Sequence, residues 1–238
     1  MNFFLVLAFL FSVGATGGWL LELVFRRFFS NANPEHKWIN LGFCTGPYLP
    51  IYGFGLCLLY LIASLETVVP NIHKIIVFLI MALSMTAIEY IAGIWLLKKM
   101  NVRLWDYSNE WGNVQGIICP KFSACWTILG VGYYFLIHPC VQEALSWLSP
   151  NLAFSFIIGL FFGVFSVDLA HSTQIVSKLK AYAQENQVIV CYEALKLQIR
   201  QHQEATKHRC FFFRPFHSER PLREHLVEMQ SYWERRKK

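Results

Sequence analysis

Apolar side chains fill five runs of this chain with few charges inside them, near residues 3 to 28, 47 to 69, 75 to 97, 122 to 140 and 152 to 170. Each approaches or exceeds the roughly 20 helical residues that cross a hydrocarbon core of about 30 Å. Only a helix satisfies its own backbone in lipid at that length, so the pattern predicts an all-α integral membrane protein with about five transmembrane helices. The first run lacks a basic start and stays apolar beyond Val13, Gly14 and Ala15, a superficial signal-peptidase site, so it is expected to persist as a span. From Ser172 the pattern turns polar, while Ile175, Leu179, Tyr182, Ile189, Tyr192, Leu195 and Ile199 recur near helical spacing. The expected organisation is a transmembrane domain over 1–171 and a basic helical tail over 172–238. Within the tail, CFFFRPFH at 210–217 reads as a segment that inserts at the membrane interface or docks on the membrane domain.

Composition agrees with the pattern: 55% of the 238 residues are hydrophobic, 16% aromatic and only 15% charged. Charge then adds an orientation, because Lys and Arg near span ends favour the cytoplasmic side. Arg26, Arg27 and Lys37 lie in the first connection, Lys74 alone in the second, Lys98, Lys99, Arg103 and Lys121 in the third, and none in the fourth. The other Lys and Arg residues lie in the tail. The N-terminus is therefore expected outside, connections one and three and the tail in the cytoplasm, and the whole chain as a multi-pass protein of the cell membrane. The net charge of +6 reads as an orientation effect and a tail facing anionic lipid, with no nucleic-acid partner. Seven cysteines form no CxxC pair, which points to reduced structural thiols; no cofactor or metal is expected.

Two uncharged Gly/Pro passages interrupt the helical pattern. Asn40 to Gly55, NLGFCTGPYLPIYGFG, runs into the second span, and Asn113 to Pro120, NVQGIICP, precedes the fourth. Pro47, Pro50 and Pro120 stiffen the helix starts, and Gly42, Gly46, Gly53 and Gly116 allow backbone shapes and close approaches that larger residues obstruct. Irregular backbone this apolar survives at membrane depth only when buried in protein or lining a cavity, so the first passage is expected to be capped by other segments or to dip into the membrane face. Spans 1–2 and 3–4 read as a parallel repeat, each copy having a late glutamate, a basic end, an Asn-to-Pro passage and a returning span. GxxxG pairs at Gly14/Gly18 and Gly159/Gly163 offer surfaces for close helix approach. Span four is expected to be interrupted at Gly130 and Gly132 and to close at His138 and Pro139.

Three acids stand at a similar level. Glu22, Glu89 and Asp168 all fall within about 12 Å of the inner face, counting about 1.5 Å per helical residue. A charge in a spanning helix costs on the order of 2.5 to 3.5 kcal/mol on insertion scales unless paired or wetted. Two readings stay open. In one, each acid has a structural partner: Glu22 with Arg26 or Arg27, Glu89 with backbone or Lys98, Asp168 with His171. In the other they line a polar pathway that holds a cation, a proton or a polar head group, with Asn40, Asn113, Asp106 and Tyr107 as further lining groups.

GWLLE in the first span, GFCTGPYLPIYG after it, IEYIAG in the third span, LWDYS, NVQGIICP, FSACW and an aspartate ending the fifth span together resemble one bacterial membrane-protein family, the Putative ABC-transporter type IV or CmpB-like family. The resemblance spans roughly residues 15 to 175. It implies a permease-like transport component, working with a separate ATPase subunit and assembling as a homo-oligomer in the lipid bilayer. The sequence has no GxxxxGK[ST] phosphate loop, which excludes this chain as the ATPase itself. Family members usually carry a basic residue after the Asn of the first motif, where this chain has Leu41. A membrane-embedded enzyme acting on a lipid or head group is the alternative, although no nucleophile motif, HExxH or metal-ligand spacing marks one. A non-catalytic scaffold or sensor anchoring the basic tail is a third.

Overall fold

The structure, a computed structural model, describes residues 2–29, 33, 36–40, 42–69, 71–205 and 221–236. Leu41 and the aromatic segment at 210–217 lie outside the described residues. Helices α1 (Phe3–Phe28), α2 (Pro50–Ala63) with the short α3 (Leu65–Val68), and α4 (Lys74–Met100) come first. A two-residue strand β1 (Val102–Arg103) follows, then α5 (Pro120–Gly132), α6 (His138–Leu148) and α7 (Ser155–Glu185). Strand β2 (Val190–Cys191) and helices α8 (Tyr192–Ala205) and α9 (Leu222–Arg236) complete the order. Among the described residues, five stretches are long and apolar enough to cross a membrane: Phe3–Phe28, Pro50–Val68, Lys74–Met100, Pro120–Leu148 and Ser155–Glu185.

Both Gly/Pro passages deliver a proline to a helix start. Leu49 before Pro50 is extended at φ −121° and ψ 108°, and Cys119 before Pro120 at φ −151° and ψ 158°. The proline ring excludes helical geometry from the residue before it, and its missing N–H costs nothing in a first turn. Span four departs from expectation: it does not close at Pro139 but continues to Leu148, through a π-helical turn at Tyr133–Ile137. The His138 N–H reaches back to the Tyr133 carbonyl. This wider turn accommodates the proline that would otherwise collide with the preceding turn of an α-helix.

The chain divides into two compact units, and three of the boundaries between them fall inside α1, α4 and α7. The first comprises Met1–Gly18, Tyr48–Ile94 and Asp106–Val167. Its core gathers Leu10, Leu59, Ile62, Val77, Met81, Met85, Tyr133, Val141 and Leu145. The Gly14/Gly18 pair is occupied within the chain: a Cβ on Gly18 would lie 2.2 Å from the Tyr52 ring, and one on Gly14 would lie 2.7 Å from Leu56. Contact this close also lets the Leu49 N–H donate to the Ala15 carbonyl at 2.9 Å. Gly53 returns the approach, since a Cβ there would stand 2.8 Å from the Phe11 ring. A Cβ on Gly159 or Gly163 would meet nothing within 4 Å. These two share α7 with exposed Phe156, Ile157, Leu160, Val164 and Val167, an apolar surface suited to lipid.

The second unit comprises Trp19–Pro47, Trp95–Trp105 and Asp168–Lys238. Its core joins Val102, Val176, Leu179, Tyr182, Val190, Tyr192, Leu195, Ile199, Leu226 and Met229. Most of the periodic apolar residues of the tail sequence are here; Ile189, in the turn between α7 and β2, is exposed instead. Strands β1 and β2 pair in parallel, Val102 opposite Val190, and Val190 N–H also reaches the Asn101 carbonyl at 3.0 Å. Helix α9 is fastened through Leu226, Met229 and a 3.1 Å bond from the Tyr182 hydroxyl to Gln230.

The glycine contacts define a pair of opposite outcomes. Gly18→Leu should lower the unfolding temperature of detergent-purified protein, by an overpacking cost of at least about 1–3 kcal/mol. Gly163→Leu should leave it within experimental error. Equal behaviour of the two variants would contradict the packing described.

Candidate functional site

In the second unit, the start of the first Gly/Pro passage, up to Pro47, is a loop held from within and from outside. Asn40 braces it internally. Its amide Nδ2 donates to the Thr45 carbonyl at 2.7 Å, and its Oδ1 accepts from the Gly42 N–H at 3.3 Å and from the Trp19 indole at 3.2 Å. Asp168, carried on α7, holds the far side. Its Oδ1 accepts from the Thr45 hydroxyl and, at 3.3 Å, from the Thr45 N–H, while Oδ2 accepts from the Gly46 N–H at 2.9 Å. Ser172, one turn on, adds a 3.4 Å contact to Oδ1. The carboxylate thus supplies acceptors that backbone N–H groups outside a helix require.

The first turn of α8 closes the same loop from another direction. Lys196 Nζ donates to the Gly42 carbonyl at 2.6 Å and the Asn40 carbonyl at 3.1 Å, and lies 4.5 Å from the Tyr192 ring centroid. The Tyr192 hydroxyl donates to the Phe43 carbonyl at 3.1 Å. Glu193 receives Arg26 at 2.6 Å, and the same guanidinium grips Glu22 at 2.6 Å, so Glu22 sits in an Arg26-centred ion pair with two carboxylates. Lys196 is only 1% exposed. Burial pulls its amine down to about 7, against the pull of Cys44, Asp168 and Glu193. Cys44, buried under the loop, is pushed up to about 12 by burial and then by Asp168, which keeps it a protonated, unreactive thiol. The Tyr192 hydroxyl is likewise raised, first by burial, and stays a donor.

The first unit holds Glu89 in a different setting. Only 4% exposed, it accepts from the Trp126 indole through Oε2 at 2.9 Å and from the Tyr107 hydroxyl through Oε1 at 3.2 Å. Both donors are locked by aromatic neighbours: Tyr107 stacks on Phe122 at 4.3 Å, and Trp126 lies 5.2 Å from Tyr52. Both of these donors are neutral side chains.

The second Gly/Pro passage positions Tyr107. Asn113 braces it as Asn40 braces the first, with Nδ2 donating to the Ser108 and Glu110 carbonyls at 3.1 and 2.9 Å and Oδ1 accepting from the Gly116 N–H at 3.0 Å. Gly116, at φ +67°, needs its glycine, and its carbonyl accepts from the Tyr107 N–H at 2.9 Å. Asp106 caps the turn by accepting from the Ser108 N–H at 3.0 Å and from its hydroxyl at 2.5 Å.

The structure therefore joins Asp168 to Asn40 and Gly42 in one network, and Glu89 to Tyr107 in another. It also adds groups that sequence reasoning does not single out as site residues: Trp19, Thr45, Trp126, Tyr192 and Lys196. Trp19 and Trp126 stand inside the motifs GWLLE and FSACW, but neither motif marks the indole's partner, which is 21 residues on at Asn40 for the first and 37 residues back at Glu89 for the second. Nothing in the sequence around Lys196 connects it with a loop 156 residues earlier. Among the described residues, no group of three or more His, Cys, Asp or Glu gathers to hold a metal ion.

Residues 9–173 match the family described as Putative ABC-transporter type IV. No curated protein and no solved structure matches the chain.

Two measurements test the loop network. Asp168→Asn replaces an acceptor with a donor facing N–H groups, and should lower stability by about 1–3 kcal/mol in thermal unfolding. The second concerns pH. Between about 7 and the ordinary 10.5 the unfolded chain holds a proton that folded Lys196 has released. Stability therefore rises with pH through that window and this contribution is lost below it. Unfolding temperatures of the wild type should gain on those of Lys196→Met from about pH 7 to about pH 9, and a constant difference would contradict the assignment.

Proposed function

The chain belongs to the Putative ABC-transporter type IV family, and from that premise we propose that it is a permease-like membrane component of a transport system whose ATPase is a separate chain. The observation that carries this reading is the coincidence of the family match, 9–173, with the stretch that contributes the five membrane-compatible helices. A bundle of this kind gives no chemistry of its own to nucleotide hydrolysis, in keeping with a sequence that lacks a phosphate loop.

On this reading the protein lies in the cell membrane with its N-terminus outside and its tail in the cytoplasm, as the distribution of Lys and Arg favours. Glu89 and Tyr107 are its pathway residues. A carboxylate buried among apolar helices and held by a phenol and an indole can exchange a proton or attract a cation. Asn113 and Asp106 hold the loop that carries Tyr107, while Glu22, Asp168 and Asn40 serve helix ends and the loop of the second unit. The cytoplasmic connections and tail supply the docking surface for the ATPase, and copies of the chain assemble with one another.

Glu89→Gln should abolish rescue of the solute-uptake defect of a deletion strain while the variant still reaches the membrane in wild-type amount. Loss of abundance instead would make Glu89 a folding residue. Detergent pull-down of the wild type should recover an ATPase by mass spectrometry. A deletion strain with normal uptake and an altered lipid profile would overturn the transport reading in favour of lipid chemistry.

A further inference from the structure

The loop carbonyls of Asn40 and Gly42 point at one amine, that of Lys196, at 3.1 and 2.6 Å, and the Tyr192 ring lies 4.5 Å from the same nitrogen. Two carbonyl acceptors and an aromatic neighbour suit a group carrying several N–H donors and at most one positive charge. Asp168 and Glu193 lie close enough to favour that charge, while burial and loss of water oppose it. The amine can therefore be held either as ammonium or as neutral amine, each with N–H donors for both carbonyls.

The family match includes the cup and stops short of its occupant. Asn40, Gly42 and Asp168 fall inside the family match at 9–173, whereas Tyr192 and Lys196 fall outside it, on α8. The loop keeps its own shape through Asn40 and Asp168, neither of which depends on the lysine for the bonds already described. The lysine side chain is long and unbranched, and it reaches the cup as a tethered alkylamine would.

We propose that the Asn40–Gly42 carbonyl cup is a binding site for a primary amine, and that Lys196 is a tethered occupant that fills it from the C-terminal helix. The amine can come from a free small molecule or from an aminoethyl lipid headgroup, and both present the same terminal group. Removal of the Lys196 side chain beyond Cβ opens the site to either. A methionine in its place fills the space without supplying donors.

The test uses full-length Lys196→Ala in detergent, with thermal unfolding as the readout. The variant should unfold about 2–8 °C below wild type. Methylammonium chloride should restore the midpoint with saturation, whereas tetramethylammonium chloride at equal ionic strength should not, because it has no N–H. Neither salt should affect the wild type or Lys196→Met differently from sodium chloride. If the alanine variant does not accumulate, recovery of folded protein when it is expressed and purified with methylammonium supports the site, and no recovery overturns it. An alanine variant as stable as wild type without amine, or one that methylammonium and tetramethylammonium stabilise equally, also overturns it. Nanodiscs of phosphatidylethanolamine against phosphatidylcholine separate the sources: stabilisation by the former with no response to free ethanolamine identifies a lipid, and the reverse identifies a soluble amine. Failure of both sources to stabilise overturns the proposal, and none of these readouts depends on transport.

Discussion

Backbone that leaves helical geometry must have each buried N–H and C=O answered from elsewhere, and this chain meets that demand twice. At the first passage the answers come from Asn40, Asp168, Lys196 and Tyr192; at the second Asn113 takes the Gly116 N–H, and backbone bonds between Val114 and Ile118, Ile117 and Val114, and Tyr107 and Gly116 supply the rest of those described. Most of the polar side chains that looked like candidate chemistry are therefore committed to loop backbone. Glu89 differs, since Tyr107 and Trp126 donate to it from side chains and it braces no loop carbonyl or amide in the bonds described.

The two asparagines show how far similar sequence produces similar physics. Each uses its carbonyl oxygen to accept a glycine N–H and its amide to donate to carbonyls of its own loop, and a proline-led helix follows each passage. The acids do not follow suit. Glu22 lies in an ion pair with Arg26, while Glu89 takes an indole and a phenol. A shared loop design thus carries different helix chemistry on its two occasions.

What the sequence made legible depended on periodicity and local geometry. Five spans followed from spacing alone, and so did a basic partner for Glu22 at Arg26 or Arg27, because each is decided within a few turns of chain; the starts expected near 47 and 122 fall at Pro50 and Pro120, and the partner is Arg26. The continuation of span four beyond Pro139 was hidden, since a π-turn has no composition signal and proline ordinarily ends a helix. The parallel pairing of Val102 with Val190 was equally hidden, as two residues carry no alternation to read. At the loop, Asn40 and Asp168 stood out as polar groups in apolar surroundings, but Lys196 lay among many charged residues of a polar helix. Only the fold distinguishes a buried lysine from its solvated neighbours.

The composition of the second unit imposes an order on biosynthesis. Its pieces come from residues 19–47, 95–105 and 168–238, so the ribosome releases the Asn40 loop long before Asp168 and Lys196 exist to bind it. All five spans precede α8 in synthesis, and the carbonyls of Asn40, Gly42 and Phe43 lack their Lys196 and Tyr192 donors until the last fifth of the chain emerges. Final closure of this unit is thus necessarily a late event, and a chain interrupted before α8 carries its spans with an unfinished loop. Quality control that senses exposed loop backbone would therefore read the arrival of the C-terminal helix as the mark of a completed molecule.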